Sequence, residues 1–157
     1  MNYEIVIVGH GRYPDGVLSA LQLLIGTTEG IKAFNLDEQT THEKFEKQLT
    51  ELLSEHERVL VFADMTGGAP HQIVSRLVLE GNRPHQYVIS SAPLNLMLDL
   101  YAKSLTGFED DTIEGELQHT LTLSKQLIEI LPDRMNTNSA TAVSYTHLRA
   151  HETLANL

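Results

Sequence analysis

Two polar residues stand where unbroken apolar runs end. His10 closes Ile5-Val6-Ile7-Val8-Gly9, and Asp64 follows Val59-Leu60-Val61-Phe62-Ala63. A neutral imidazole is a good nucleophile near neutral pH, and a carboxylate on one ring nitrogen leaves the other free to attack. Just past Asp64 come Gly67 and Gly68, which let backbone approach closely, then Ala69 and Pro70. Amides opening a helix there can hold an anion, so Gly67, Gly68 and Ala69 form a candidate phosphate nest. Nucleophile, orienting carboxylate and nest together suit phosphoryl transfer through a phosphohistidine. The plainer alternative, a surface-loop histidine and a helix-capping aspartate, stays open at this point.

Other chemistries find less support. Gly9-x-Gly11 lacks the third glycine of a dinucleotide fingerprint. Neither a Gly-x-Ser-x-Gly elbow nor a phosphate loop ending in Gly-Lys-Ser/Thr occurs. With no cysteine, thiol nucleophiles, disulfides and thiolate metal sites drop out. His42, His56, His85 and His119 lack ligand spacing and are expected in solvent, so neither a metal nor a cofactor is expected. His71 either lines the crevice or is a polar residue of a first helical turn. Arg12 reads as an exposed loop charge, with contact to an incoming phosphate as the alternative. Asp64 also has the position of a receiver-domain phosphoacceptor, but strand 1 ends in Gly9-His10 without the acidic pair that holds magnesium there. A ligand-binding α/β module without turnover, using the same crevice, is the third class.

The positioning elements follow from periodicity. Continuous apolar runs read as strands buried on both faces, which belong to parallel sheets. A first strand leads to His10, Ile31–Leu36 gives a second, 58–64 a third and 86–91 a fourth. Between them lie helical stripes. Asp15 is expected to cap the first, which carries Val17, Leu18, Leu21, Leu24 and Ile25. Thr40 and Glu43 offer a capping box for the second, with Phe45, Leu49, Leu52 and Leu53 inward. Pro70 opens the third, with Ile73, Val74, Leu77 and Val78 as its stripe. Pro93 opens the fourth, with Leu94, Met97, Leu98, Tyr101 and Leu105 as its apolar side. A last helix bears Ile113, Leu117, Leu121, Leu127, Ile128 and Leu131. The pattern predicts a doubly wound α/β fold, a mainly parallel four-stranded sheet of order 2-1-3-4 with helices on both faces. That order makes strands 1 and 3 neighbours and puts His10 and Asp64 at one crevice on the carboxyl rim.

The 157 residues correspond to about one domain, 41% hydrophobic and 20% charged. A net charge of -10 argues against a nucleic-acid partner. Apolar runs are too short for a membrane span and no basic-then-apolar leader opens the chain, so a cytoplasmic protein is expected.

These motifs have a familiar order. Gly9-His10-Gly11, Asp64-Met65-Thr66-Gly67-Gly68-Ala69-Pro70 and Ala92-Pro93-Leu94-Asn95-Leu96-Met97 resemble the enzyme IIA component of the mannose family of the sugar phosphotransferase system, over residues 1–131. The resemblance implies that His10 is phosphorylated and that Asp64 positions it. It implies a phosphotransferase role in sugar uptake: phosphate arrives from the histidine phosphocarrier protein and leaves to enzyme IIB, with membrane permease subunits served indirectly. A homodimer is also implied, with a C-terminal edge strand swapped between subunits. Ala69 departs from the family pattern, in which many members carry a hydroxyl near the phosphate; backbone amides are left to serve.

Residues 132–142 read as a tail or linker, and 135–142 as the start of a connection into a IIB domain such as some relatives have. The stretch from Val143 to Leu157 reads as one frame of a transposase sequencing adapter and is expected to be disordered, so His147 and His151, four apart, are set aside as metal ligands.

Overall fold

The computed structural model of the chain describes residues 2–135. The adapter reading over 143–157, the His147 and His151 pair and all but the first few residues of the 132–142 linker lie outside the described residues.

The elements run β1 (Glu4–His10), α1 (Tyr13–Ile25), β2 (Ile31–Leu36), α2 (His42–Glu55), β3 (Arg58–Ala63), α3 (Ala69–Gly81), β4 (His85–Ile89), α4 (Leu94–Thr106) and α5 (Ile113–Lys125). All strand pairings are parallel, and the sheet order is β2-β1-β3-β4. This is the expected doubly wound topology, with the switch point between β1 and β3.

Strand alternation sorts the core into two layers. Ile5, Ile7, Leu60 and Phe62 face one side and pack with Leu21 of α1, and with Leu96, Met97, Leu100 and Tyr101 of α4. Val6, Val8, Val59 and Val61 face the other, against Phe45, Leu49, Leu52 and Leu53 of α2 and Val74 of α3. Each such side chain, fully buried, contributes roughly 1.5–3 kcal/mol. The central strands are therefore fixed from both sides, and so are their carboxyl ends. No helix among the described residues is long and apolar enough to cross a membrane.

Several local expectations need correction. Asp15 does not cap α1: the helix already begins at Tyr13, with Arg12 at the cap and no side-chain cap bond. Asp15 instead accepts a 2.7 Å hydrogen bond from Asn35 Nδ2 on β2. The α2 cap is Thr41, not Thr40, and its hydroxyl accepts from the Lys44 amide at 3.1 Å. That register puts a lysine where a capping box needs glutamate.

The buried face of α4 is Leu96, Met97, Leu100, Tyr101 and Ser104, whereas Leu94 and Leu105 are exposed. Helix α5 stops at Lys125, with Gln126 bonding back to Leu123 and Ser124. Its buried stripe is Ile113, Leu117, Thr120 and Ser124, and Ile128, Ile130 and Leu131 beyond it are exposed. β4 ends at Ile89, so Ser90 and Ser91 belong to the loop.

Candidate functional site

The register of β1 on β3 ends at the pair Val8 and Ala63. One step further, Asp64 faces Gly9, and the Asp64 amide donates to the Val8 carbonyl at 3.1 Å. A β carbon on Gly9 would lie 3.1 Å from Cβ, Cγ and Oδ2 of Asp64. Glycine at this position is what lets the carboxylate fold back over β1.

There it meets His10 twice. Asp64 Oδ2 accepts the His10 amide at 2.9 Å and lies 2.7 Å from His10 Nδ1. Its other oxygen, Oδ1, accepts the Met65 amide at 2.8 Å. Burial pushes the Asp64 carboxyl up, but the hydrogen bonds from the His10 amide, the His10 ring and the Met65 amide outweigh it and hold the group below its ordinary value. In the tautomer with its proton on Nδ1, His10 donates to the ionised Asp64 and the Nε2 lone pair is left free. The His10 ring is half exposed, at 47%, while the Asp64 side chain is only 11% exposed. The sequence pairing of these two residues is the geometry found.

The nest has a more detailed pattern than its residue types suggest. Gly68 caps α3 and lies against the His10 ring. The Gly67 amide is already committed: it donates to His71 Nδ1 at 3.0 Å. The Thr66 amide donates to Ser91 Oγ at 3.0 Å. Amides of the first helical turn have no intrahelical acceptor, and Pro70 has no N–H. Within that turn, among the described residues, the amides left without an intrahelical acceptor are therefore those of Ala69 and His71. Ala69, without a side-chain hydroxyl, has only its backbone amide to offer an anion, while the Gly67 amide serves the loop itself.

An open cleft of about 740 Å³ adjoins His10, lined by Arg12, Asp37, Thr40, His42 and Ala69 among others. The Arg12 side chain is 84% exposed and, among the described residues, reaches only Asp15, at 3.7 Å. His42 borders this cleft from the start of α2. His85, expected in solvent, instead lies at the far end of the sheet, 3.5 Å from Asp110 Oδ2, with its Nδ1 buried and without a hydrogen-bond partner among the described residues.

Sequence reasoning missed Tyr13, Ser90 and Ser91. Burial and the nearby Asp64 charge push the Tyr13 phenol up. No spacing signal marks any of the three: Tyr13 comes from the first turn of α1, and Ser90 and Ser91 from the loop that follows β4.

A parallel doubly wound sheet with a histidine–carboxylate pair on its carboxyl rim defines the class: an α/β protein with its candidate site at the switch point between β1 and β3. Known proteins narrow it. A family model described as PTS system fructose IIA component matches residues 4–114. The chain belongs to this family, the IIA components of the fructose and mannose type of the phosphotransferase system (PTS), which are phosphotransfer proteins.

The fructose-specific EIIA component of Bacillus subtilis (strain 168) is 24% identical over 136 residues, spanning 84% of this chain and 88% of its own length. The crystal structure of EIIA from Streptococcus agalactiae superposes with a TM-score of 0.70 at 28% identity, covering 82% of this chain and 96% of that one. The mannose/sorbose-specific IIA subunit from Enterococcus faecalis shares the fold, with a TM-score of 0.69 at 16% identity, over 87% of this chain and 100% of that one.

Proposed function

We propose that this chain is a phosphohistidine carrier of a sugar phosphotransferase system, with His10 as the acceptor and Asp64 as the residue that orients it. The observation that carries the reading is the 2.7 Å contact between His10 Nδ1 and Asp64 Oδ2, which leaves Nε2 as the attacking nitrogen. Phosphate comes from the histidine phosphocarrier protein and goes on to enzyme IIB in the cytoplasm.

In the acceptance step the Nε2 lone pair attacks phosphorus. The donor's N–P bond breaks, and the donor imidazole leaves with that electron pair. His10 keeps its Nδ1 proton and becomes a cationic, phosphorylated ring, and Asp64 balances that charge. The Ala69 and His71 amides face the phosphoryl oxygens, and Gly68 sets the ring against this nest.

Both Asp64 oxygens are engaged with His10 and Met65, which disfavours phosphorylation on Asp64 itself. Incubation with phosphoenolpyruvate, enzyme I and the histidine phosphocarrier protein is expected to give an acid-labile, base-stable adduct that His10→Ala abolishes. Label retained in that variant sinks the assignment. A base-labile adduct points to Asp64, and no label at all to a binding module.

The homodimer belongs to the same proposal. Ile128 and Ile130 are 74% and 83% exposed just past α5, and β4 is an edge of the sheet. Both features suit an added strand exchanged with a second copy. Light scattering of Ile128→Glu/Ile130→Glu is expected to give the monomer mass; an unchanged dimer excludes this segment.

A further inference from the structure

Two loops meet beyond the ends of β3 and β4 through three hydroxyl side chains. Thr66 Oγ1 donates to Ser90 Oγ at 2.8 Å and lies 2.9 Å from Ser91 Oγ. A hydroxyl has one proton to give. Thr66 has given its own to Ser90, so the proton in the second bond comes from Ser91. Ser91 Oγ then accepts the Thr66 amide at 3.0 Å. Ser91 holds a φ of +52°, left-handed backbone that a residue with a side chain adopts only when its surroundings insist. What serine adds here over glycine is its hydroxyl, and that hydroxyl is engaged with Thr66 on both sides.

We propose that Ser91 and Thr66 are positioning residues for phosphoryl transfer, acting through the loop over 64–68 on the His10 ring. The inference rests on the phosphocarrier reading above. Three successive amides of this loop are each held by a different side chain: Met65 by Asp64 Oδ1, Thr66 by Ser91 Oγ and Gly67 by His71 Nδ1. The residue that follows is Gly68, against which the His10 ring lies. Releasing Thr66 lets Gly68 and the Ala69 amide drift from the reacting nitrogen, while the sheet and both core layers stay intact.

The test uses the full chain and phosphorylated histidine phosphocarrier protein in single turnovers. Thr66→Val keeps the shape and removes the hydroxyl. Its rate at saturating donor is expected to fall roughly five- to twentyfold, short of the roughly hundredfold that a full ångström of misplacement costs. The half-saturating donor concentration stays put, and Thr66→Ser restores the rate. Ser91→Gly and Ser91→Ala slow transfer alike, yet Ser91→Gly holds or raises Tm, because glycine relieves the left-handed φ. A brace that only stabilises the fold would lower rate and Tm together, with no rescue by Thr66→Ser, and that pattern overturns the proposal. Rates of Thr66→Val and Ser91→Gly within about twofold of native, with His10 still labelled, overturn it too and leave the carrier reading standing. A native protein that takes no label on His10 removes both.

Discussion

A β carbon placed on Gly68 would lie 2.6 Å from Cε1 of His10 and 3.3 Å from its Nε2. The backbone of Gly68 is ordinary and extended, with φ -73° and ψ 163°, so any residue can adopt it. Glycine is required here by the imidazole and not by the chain. Gly68→Ala therefore isolates a steric effect: the added methyl group drives the ring off its bond to Asp64 or pushes the loop back. Phosphate acceptance is expected to fall at least roughly tenfold, with Tm nearly unchanged, in paired single-turnover and thermal-melt measurements. A native rate would mean that the ring has another productive seat.

Asp64→Asn separates charge from shape. The carboxylate accepts three hydrogen bonds, from the His10 amide, the His10 ring and the Met65 amide. An asparagine has one acceptor oxygen, so an amide N–H must face another donor. It also cannot balance the cationic phosphorylated ring. Transfer to enzyme IIB is expected to slow by at least roughly tenfold, a larger effect than any on stability, because the pair sits on the rim. Unchanged transfer would reduce Asp64 to a cap.

The sheet centre and the His10–Asp64 pair were legible because β1 and β3 each carry an uninterrupted apolar run, and a rim residue has to sit where such a run stops. Helix α4 was less legible. Leucines at 94, 96, 98, 100 and 105 surround it, so two faces look apolar and only packing selects Leu96 and Leu100 over Leu94 and Leu105. Thr40 and Thr41 are equivalent locally, and the choice between them is made by where α2 docks. Of the hidden partners of this loop, Ser91 and His71 accept its backbone amides, and Ser90 accepts the Thr66 hydroxyl. Nothing in a single sequence records which side chain a given amide will find.

Gln86 illustrates a similar hidden contact away from the site. Helix α2 ends without glycine, at an extended His56, so its last carbonyls need partners from elsewhere. Gln86 on β4 is buried and donates through Nε2 to the Leu53 and His56 carbonyls, both at 2.8 Å. Gln86→Leu leaves those carbonyls without this donor, at a cost of about 2 kcal/mol. Urea unfolding should register the loss while the rate of phosphate acceptance stays native, since Gln86 is at the amino end of its strand. A slowed rate would reveal coupling along β4 to the rim.

Asp110, in the loop between α4 and α5, ties that loop to the amino ends of the strands. Tyr3 donates its hydroxyl to Oδ1 at 3.0 Å. Arg58 donates through Nε to Oδ1 at 2.9 Å and through Nη2 to Oδ2 at 2.7 Å, and His85 Nε2 lies 3.5 Å from Oδ2. The Arg58 hydrogen bonds, against partial desolvation and with help from Tyr3, hold the carboxyl down from 3.8 to about 2. A depressed carboxyl stabilises the fold wherever it is ionised in both states, and that stabilisation disappears as pH falls through the folded value. Asp110→Asn should therefore melt below the native protein at neutral pH. The gap should hold down to the ordinary carboxyl value of 3.8, then close as pH approaches about 2. Melting curves for both proteins across this range, at fixed ionic strength, test the sign. A gap that persists at the acid end would assign the loss to shape and hydrogen-bond number, and would remove the Asp110 charge as the source of the loop's attachment.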